Sequence, residues 1–120
     1  MTGKMINVAR GYQIRFDQRA KGQETPYWVG TIFLNGKAIG FFNNSGTGGA
    51  TIISPWHLSK EFEAIFDQEA SKFGMTEEQL NAEFEREEHV FRFADLVAHK
   101  RDCKDLTFSE YCEILCKQEV

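Results

Sequence analysis

No apolar run in the chain approaches the roughly 18–20 residues that a membrane-spanning helix needs, so no part of it is predicted to cross a bilayer. The first ten residues, MTGKMINVAR, hold no apolar core of the kind a secretory leader carries, which predicts an intracellular protein. Cysteine is scarce. Three in 120 residues is an odd count, which suits a reducing compartment better than a disulfide framework. Catalytic signatures are also missing. There is no His-Glu-x-x-His, and none of His57, His89 and His99 has a Ser or Cys nearby in a nucleophile motif. No Gly-Lys-Ser/Thr follows a glycine-rich stretch, which excludes a Walker loop. Internal repeats and low-complexity segments are absent.

The chain does have the means to build a core. Its hydrophobic fraction is 42% and it has eleven Phe, the profile of a folded protein. At 120 residues it is expected to form one domain, residues 1–120, with no need of a disulfide or metal staple. The net charge of −4 is unevenly spread. Residues 1–50 hold six Lys/Arg against two Asp/Glu, net +4, and residues 51–120 hold eight against sixteen, net −8. Such asymmetry can orient a partner or steer its approach.

The centre of the chain is residues 27–50, YWVGTIFLNGKAIGFFNNSGTGGA. Asn35-Gly36 predicts a type I′ turn, because both central positions need φ > 0 and these residues tolerate it best. The flanks are rich in β-branched and aromatic residues, so the segment reads as a β-hairpin. That turn sets Leu34 opposite Lys37, Ile32 opposite Ile39, Gly30 opposite Phe41 and Trp28 opposite Asn43. The Phe41 ring is thus expected to cover the bare backbone of Gly30. Beyond it, Asn43-Asn44-Ser45-Gly46-Thr47-Gly48-Gly49 has no apolar side chain. Its glycines can turn sharply and aim backbone N–H groups into one concavity.

Apolar side chains at Ile6, Val8, Tyr12, Ile14 and Phe16 alternate with small or polar ones, predicting a half-buried strand over 6–16 that Gly11 divides or bulges. Residues 17–26 read as a polar connector, and 51–53 as a short fourth strand. Ser54-Pro55 reads as the start of a helix whose stripe is Leu58, Phe62, Ile65, Phe66 and Phe73, terminated at Gly74. Thr76 with Gln79 forms a capping box, with Met75 and Leu80 as staple. It opens a helix expected to run without interruption through 75–106, on the stripe Leu80, Phe84, Glu87, Phe91, Ala94 and Ala98. Thr107 with Glu110 repeats the signature for a C-terminal helix that buries Phe108, Tyr111, Cys112 and Leu115. The fold class is α+β: an antiparallel sheet of three to four strands in the N-terminal half, packed by two to three C-terminal helices.

Four constellations are candidate sites. The loop Asn43, Asn44, Ser45, Gly46, Thr47, Gly48 and Gly49 reads as an anion nest, a backbone-rich contact surface or a tight turn. It lacks the third spaced glycine of a dinucleotide fingerprint. His99, Cys103, Cys112 and Cys116 have the ligand types of a Cys3His zinc site, although Cys-x-x-Cys is missing and free Cys is ordinarily a small core residue. From Glu61 to Glu88 ten Asp/Glu face two Lys/Arg. A dense acidic helix face of this kind, with Glu83, Glu85 and Glu88, imitates a phosphate backbone or is simply solvated. Arg10, Arg15, Arg19, Lys21 and Lys37 interleave with Tyr12, Tyr27 and Trp28, a composition that can hold single-stranded nucleic acid.

Residues 27–49 carry a resemblance. A strand, Asn35-Gly36-Lys37-x-x-Gly40, a short apolar strand and then Asn43-Asn44-x-Gly46-x-Gly48-Gly49 resemble small uncharacterised proteins encoded by bacteriophages and plasmids. In those a "DGKKVG" hairpin leads into "NDGRGG". Ala94-Asp95-Leu96-Val97-Ala98 is similar to their C-terminal helix. Here Asn44-Ser45 stands where the pattern has Asp, and Thr47 where it has Arg. The resemblance implies a mobile-element protein acting against host defences, of the anti-CRISPR kind, in the cytoplasm of a bacterial host. It implies a non-enzymatic inhibitor without a cofactor, bound to a host protein or ribonucleoprotein complex that handles nucleic acid. The contact residues are then the glycine loop with Trp28, or the acidic set Glu83, Glu85 and Glu88. The alternative is a small nucleic-acid- or nucleotide-binding domain that uses the loop and the basic half.

Overall fold

A computed structural model of the chain describes residues 3–82 and 85–118. It is an α+β fold: an antiparallel sheet in the N-terminal half, followed by helices. Contacts separate it into two compact units, Met1–Ser59 and Lys60–Val120.

The first unit is a five-stranded meander in the order β1-β2-β3-β4-β5. Its strands are β1 (Ile6–Asn7), β2 (Tyr12–Ala20), β3 (Tyr27–Leu34), β4 (Lys37–Ser45) and β5 (Ile52–Ser54). The expected strand over 6–16 is two strands. Arg10 at φ 53 and Gly11 at φ 83 form a turn, closed by the Tyr12 N–H on the Ala9 carbonyl at 2.9 Å. In the other direction β2 runs on through Asp17 to Ala20, residues expected in the connector. A bulge lies between Phe16 and Gln18, and its displaced residue, Asp17, accepts from Arg15 Nε at 2.8 Å and from the Thr31 hydroxyl at 2.8 Å.

The Asn35-Gly36 turn is as expected, with φ 51 and 83. The register beyond it is not. Leu34 faces Lys37 and Phe33 faces Ala38, but a bulge at Ile39 then shifts the pairing, so that Ile32 faces Gly40, Gly30 faces Phe42 and Trp28 faces Asn44. Because side chains alternate between faces, one extra residue exchanges the roles of Phe41 and Phe42. Phe42, 1% exposed, is the ring over Gly30, where an added Cβ would collide with that ring and with the Arg15 carbonyl. Phe41 is 65% exposed. The core face carries Ile14, Phe16, Trp28, Ile32, Phe42 and Ile53, with Phe16 at 5.5 Å from both Trp28 and Phe42.

Ser54 ends β5 instead of capping a helix, and α1 (Leu58–Lys72) begins after a turn through Pro55 and Trp56. The second unit takes most of α1 and adds α2 (Glu77–Ala82), α3 (Glu88–His99) and α4 (Phe108–Gln118). Gly74 at φ 94 terminates α1, with the Met75 N–H returning to the Ala70 carbonyl. Both capping boxes are present. The Gln79 N–H reaches the Thr76 hydroxyl at 3.1 Å, and the Glu110 N–H the Thr107 hydroxyl at 3.1 Å.

The helix expected over 75–106 is interrupted twice. Glu85 adopts φ 58, and Arg86 and Glu87 turn before α3 starts. Arg86 accounts for the break. Its guanidinium caps α2 at the Leu80 carbonyl (2.6 Å) and pairs with Glu63 and Asp67, one turn apart on α1. The second end comes at His99, after which 101–103 form a single 3-10 turn. Aromatic rings join the helices of this unit: Phe62 with Phe91 at 5.7 Å and Phe93 with Phe108 at 5.3 Å.

Candidate functional site

The glycine loop is built around one side chain. Asn44, on the core face of β4 and 4% exposed, accepts from the Thr25 hydroxyl at 2.8 Å and from the Gly46 N–H at 2.9 Å. Its amide donates to the Gly49 carbonyl at 3.0 Å and reaches Thr51 Oγ1 at 3.4 Å. Thr51 in turn accepts from the Trp28 indole N–H at 3.0 Å. The Gly46 carbonyl takes the Glu24 N–H at 3.0 Å, so the loop is laced to the β2–β3 connection. The Gly48 N–H leans on the Thr25 hydroxyl at 3.4 Å.

These bonds correct two expectations. The N–H groups of Gly46 and Gly48 point at protein oxygens and not into a shared concavity; for Gly46, which is buried, a partner is obligatory. Trp28, expected on the contact surface, is 2% exposed and belongs to the core. Asn44 and Gly46 are buried as well, which leaves Asn43, Ser45, Thr47, Gly48 and Gly49 at the surface.

The opposite face of the sheet is open only on its β4–β5 side. Arg15, Thr31, Phe41 and Ser54 lie in one cross-strand row, and Gln18, Val29, Asn43 and Ile52 in the next. Thr31 and Phe33 are buried there under Arg15, whose guanidinium sits 5.1 Å from the Phe33 ring centre and bonds Asp17. Toward the β5 edge the covering stops. Phe41 and Ile52, diagonal neighbours on this face, are each 65% exposed, and Trp56 just beyond β5 is 72% exposed. The pattern of residues 39–42 alone does not reveal this, since it depends on the Ile39 bulge. Next to the glycine loop, the β2–β3 connection encloses a hollow of about 440 Å³ whose lining includes Arg19, Lys21 and Glu24.

No protein-family model, curated protein or solved structure matches the chain.

In the helical unit the acidic set divides. Glu83 lies outside the described residues. Glu85 is exposed at the left-handed turn, while Glu88 is 6% exposed and so is not on a solvated face. Burial pushes the Asp67 carboxyl above its ordinary range and Glu63 adds to this, with Arg86 acting against both. Among the described residues no three His, Cys, Asp or Glu are grouped to hold a metal. His99 is paired with Asp95 at 2.9 Å, Cys103 is half-buried, and Cys112 and Cys116 are in the core. Burial, with Glu69 and Cys116 nearby, pushes the Cys112 thiol up to about 12. A thiol held this high is inert as a nucleophile.

One cluster had no signal in the sequence. His89, 2% exposed at the start of α3, stacks on Phe66 at 4.4 Å, and its Nδ1 is 2.8 Å from the Tyr111 hydroxyl on α4. Its partners lie 23 and 22 residues away, beyond any local motif. Among the described residues no helix is long and apolar enough to cross a membrane.

Proposed function

We propose that the chain is a non-enzymatic inhibitor or modulator that binds a host complex handling nucleic acid, of the anti-defence kind its glycine-loop segment resembles. The observation that carries this reading is the exposure of Phe41, Ile52 and Trp56 at one edge of the sheet. Three large apolar side chains left in water are costly unless they serve a contact. The locked glycine loop adds a rigid polar border, which limits the entropy lost on binding. The acidic helices support it less, since Glu88 is buried.

The test is affinity capture from bacterial host lysate with the tagged chain. A stoichiometric complex with a nucleic-acid-handling enzyme is expected, lost in the Phe41→Ala/Trp56→Ala double variant. Glu78→Lys/Glu85→Lys should bind as the unaltered chain does. Capture of no such enzyme, or undiminished capture by the double variant, refutes the reading.

A further inference from the structure

We infer that the open face of the sheet takes single-stranded nucleic acid, the strand that the bound complex itself handles. This rests on the reading of that face as the contact surface and names its ligand.

Three features of the first unit converge on this chemistry. The face offers stacking surface without closing into a pocket. Phe41 is 65% exposed, Ile52 extends the platform diagonally, and Tyr27, half-buried, lies on the same face four residues along β3 from the Phe41 partner Thr31. Four residues of strand are about 13 Å, so the two rings can hold bases that are not adjacent to each other. A flat aromatic accepts any base by stacking, which suits a single strand and not a duplex, whose bases are already stacked.

Polar groups stand between the rings. Asn43 and Gln18 are exposed in the row between them, Gln18 accepting from the Tyr27 hydroxyl at 3.1 Å, and Ser45 is exposed beside Tyr27; they have donors and acceptors for base edges. In addition, the unit carries exposed positive charge at both ends of its strands, with Arg19 paired to Trp28 and Lys37 to Leu34 at the strand ends. Arg19 and Lys21 are exposed at the end where β2 passes into β3. Arg10 and Lys37 are exposed at the other end, where the Asn35 N–H bonds the Gly11 carbonyl at 2.8 Å and sets the two turns side by side. Against six Lys/Arg, residues 1–59 hold only Asp17, which is paired with Arg15, and Glu24. A polyanion is the complementary partner for a unit of net +4. A protein ligand would need acidic groups at both ends of an apolar ridge, whereas a nucleic-acid strand presents phosphate at every step.

The experiment is fluorescence anisotropy of the full chain with labelled oligo-dT and oligo-U of about 20 nucleotides. Binding in the range of about 1–100 μM is expected at about 50 mM salt, weakening at least tenfold at about 200 mM. Phe41→Ala should weaken it by about tenfold or more, and Lys21→Glu/Lys37→Glu should abolish it. Both variants alter exposed side chains, and circular dichroism checks that they fold. Binding to either oligomer supports the inference, and the tighter of the two identifies DNA or RNA as the source. Absence of binding at low salt, indifference to both variants, or equal binding of a duplex overturns it. If no oligomer binds while nuclease-treated lysate still yields a protein partner that Phe41→Ala loses, the ligand is protein; this inference fails and the contact-surface reading stands. If oligomers bind and the lysate yields no complex, the inference stands and the host-complex reading fails.

Discussion

The side-chain oxygen of Asn44 lies 2.8 Å from the Thr25 hydroxyl and 2.9 Å from the Gly46 N–H, and thus ties two loops to one buried atom. Replacing Asn44 with Ala would leave both donors without an acceptor. Each buried donor left unsatisfied costs about 1–3 kcal/mol. We expect Asn44→Ala to lower stability to denaturant by about 2 kcal/mol or more and to speed amide exchange at Gly46 and Gly48. A loss below about 0.5 kcal/mol would show that Asn44 does not hold the loop.

Arg86 governs a pH-dependent balance in the helical unit. Asp67 has its carboxyl raised by burial, so the folded state binds that proton more tightly than the unfolded state does. The sign follows. An acid with a raised folded pKa costs stability when ionised, and the cost is relieved as pH falls through the folded value. Arg86 offsets that cost while Asp67 is charged. Arg86→Met should therefore destabilise by about 1–3 kcal/mol near neutral pH. Part of the loss should be recovered as pH falls through the acidic range, as the uncompensated carboxyl takes up a proton. The Leu80 carbonyl loses its cap at any pH, so recovery is incomplete. Denaturation curves of both proteins across this range measure the effect. A deficit that grows on acidification would contradict the assignment.

The three thiols should differ sharply in reactivity. Cys103 is half-buried, while Cys112 and Cys116 are buried and Cys112 is held up to about 12. With a disulfide reagent at about pH 8, one fast equivalent is expected from the native chain and three from the unfolded chain. Cys103→Ser should remove the fast phase. Rapid reaction of all three in the native state would be inconsistent with the core placement of Cys112 and Cys116.

The local signals in the sequence were legible where a few adjacent residues decide the backbone. Asn35-Gly36, the boxes Thr76/Gln79 and Thr107/Glu110, and the terminator Gly74 all sit where residue chemistry places them. Each depends on a φ preference or on a hydrogen bond spanning three residues, and neither waits for the rest of the fold. The antiparallel α+β class followed from period-two and helical spacing in the same way.

What lay beyond reach was set by contacts distant along the chain. A bulge at Ile39 changes which of two neighbouring phenylalanines is buried, and Phe41 and Phe42 differ in nothing but position. The break in the helix expected over 75–106 depends on Arg86 meeting Glu63 and Asp67 across 23 and 19 residues. Composition leaves the glycine loop open as an anion nest, a contact surface or a tight turn, and it is Thr25 and Asn44, distant in the chain or across the loop, that take the Gly46 and Gly48 amides. By itself, then, the sequence determined turns, caps and fold class, because those energies are local. Tertiary structure alone decided register, burial and the face left open, because one displaced residue exchanges the faces of a strand's side chains and a buried polar group bonds whatever the fold brings within reach.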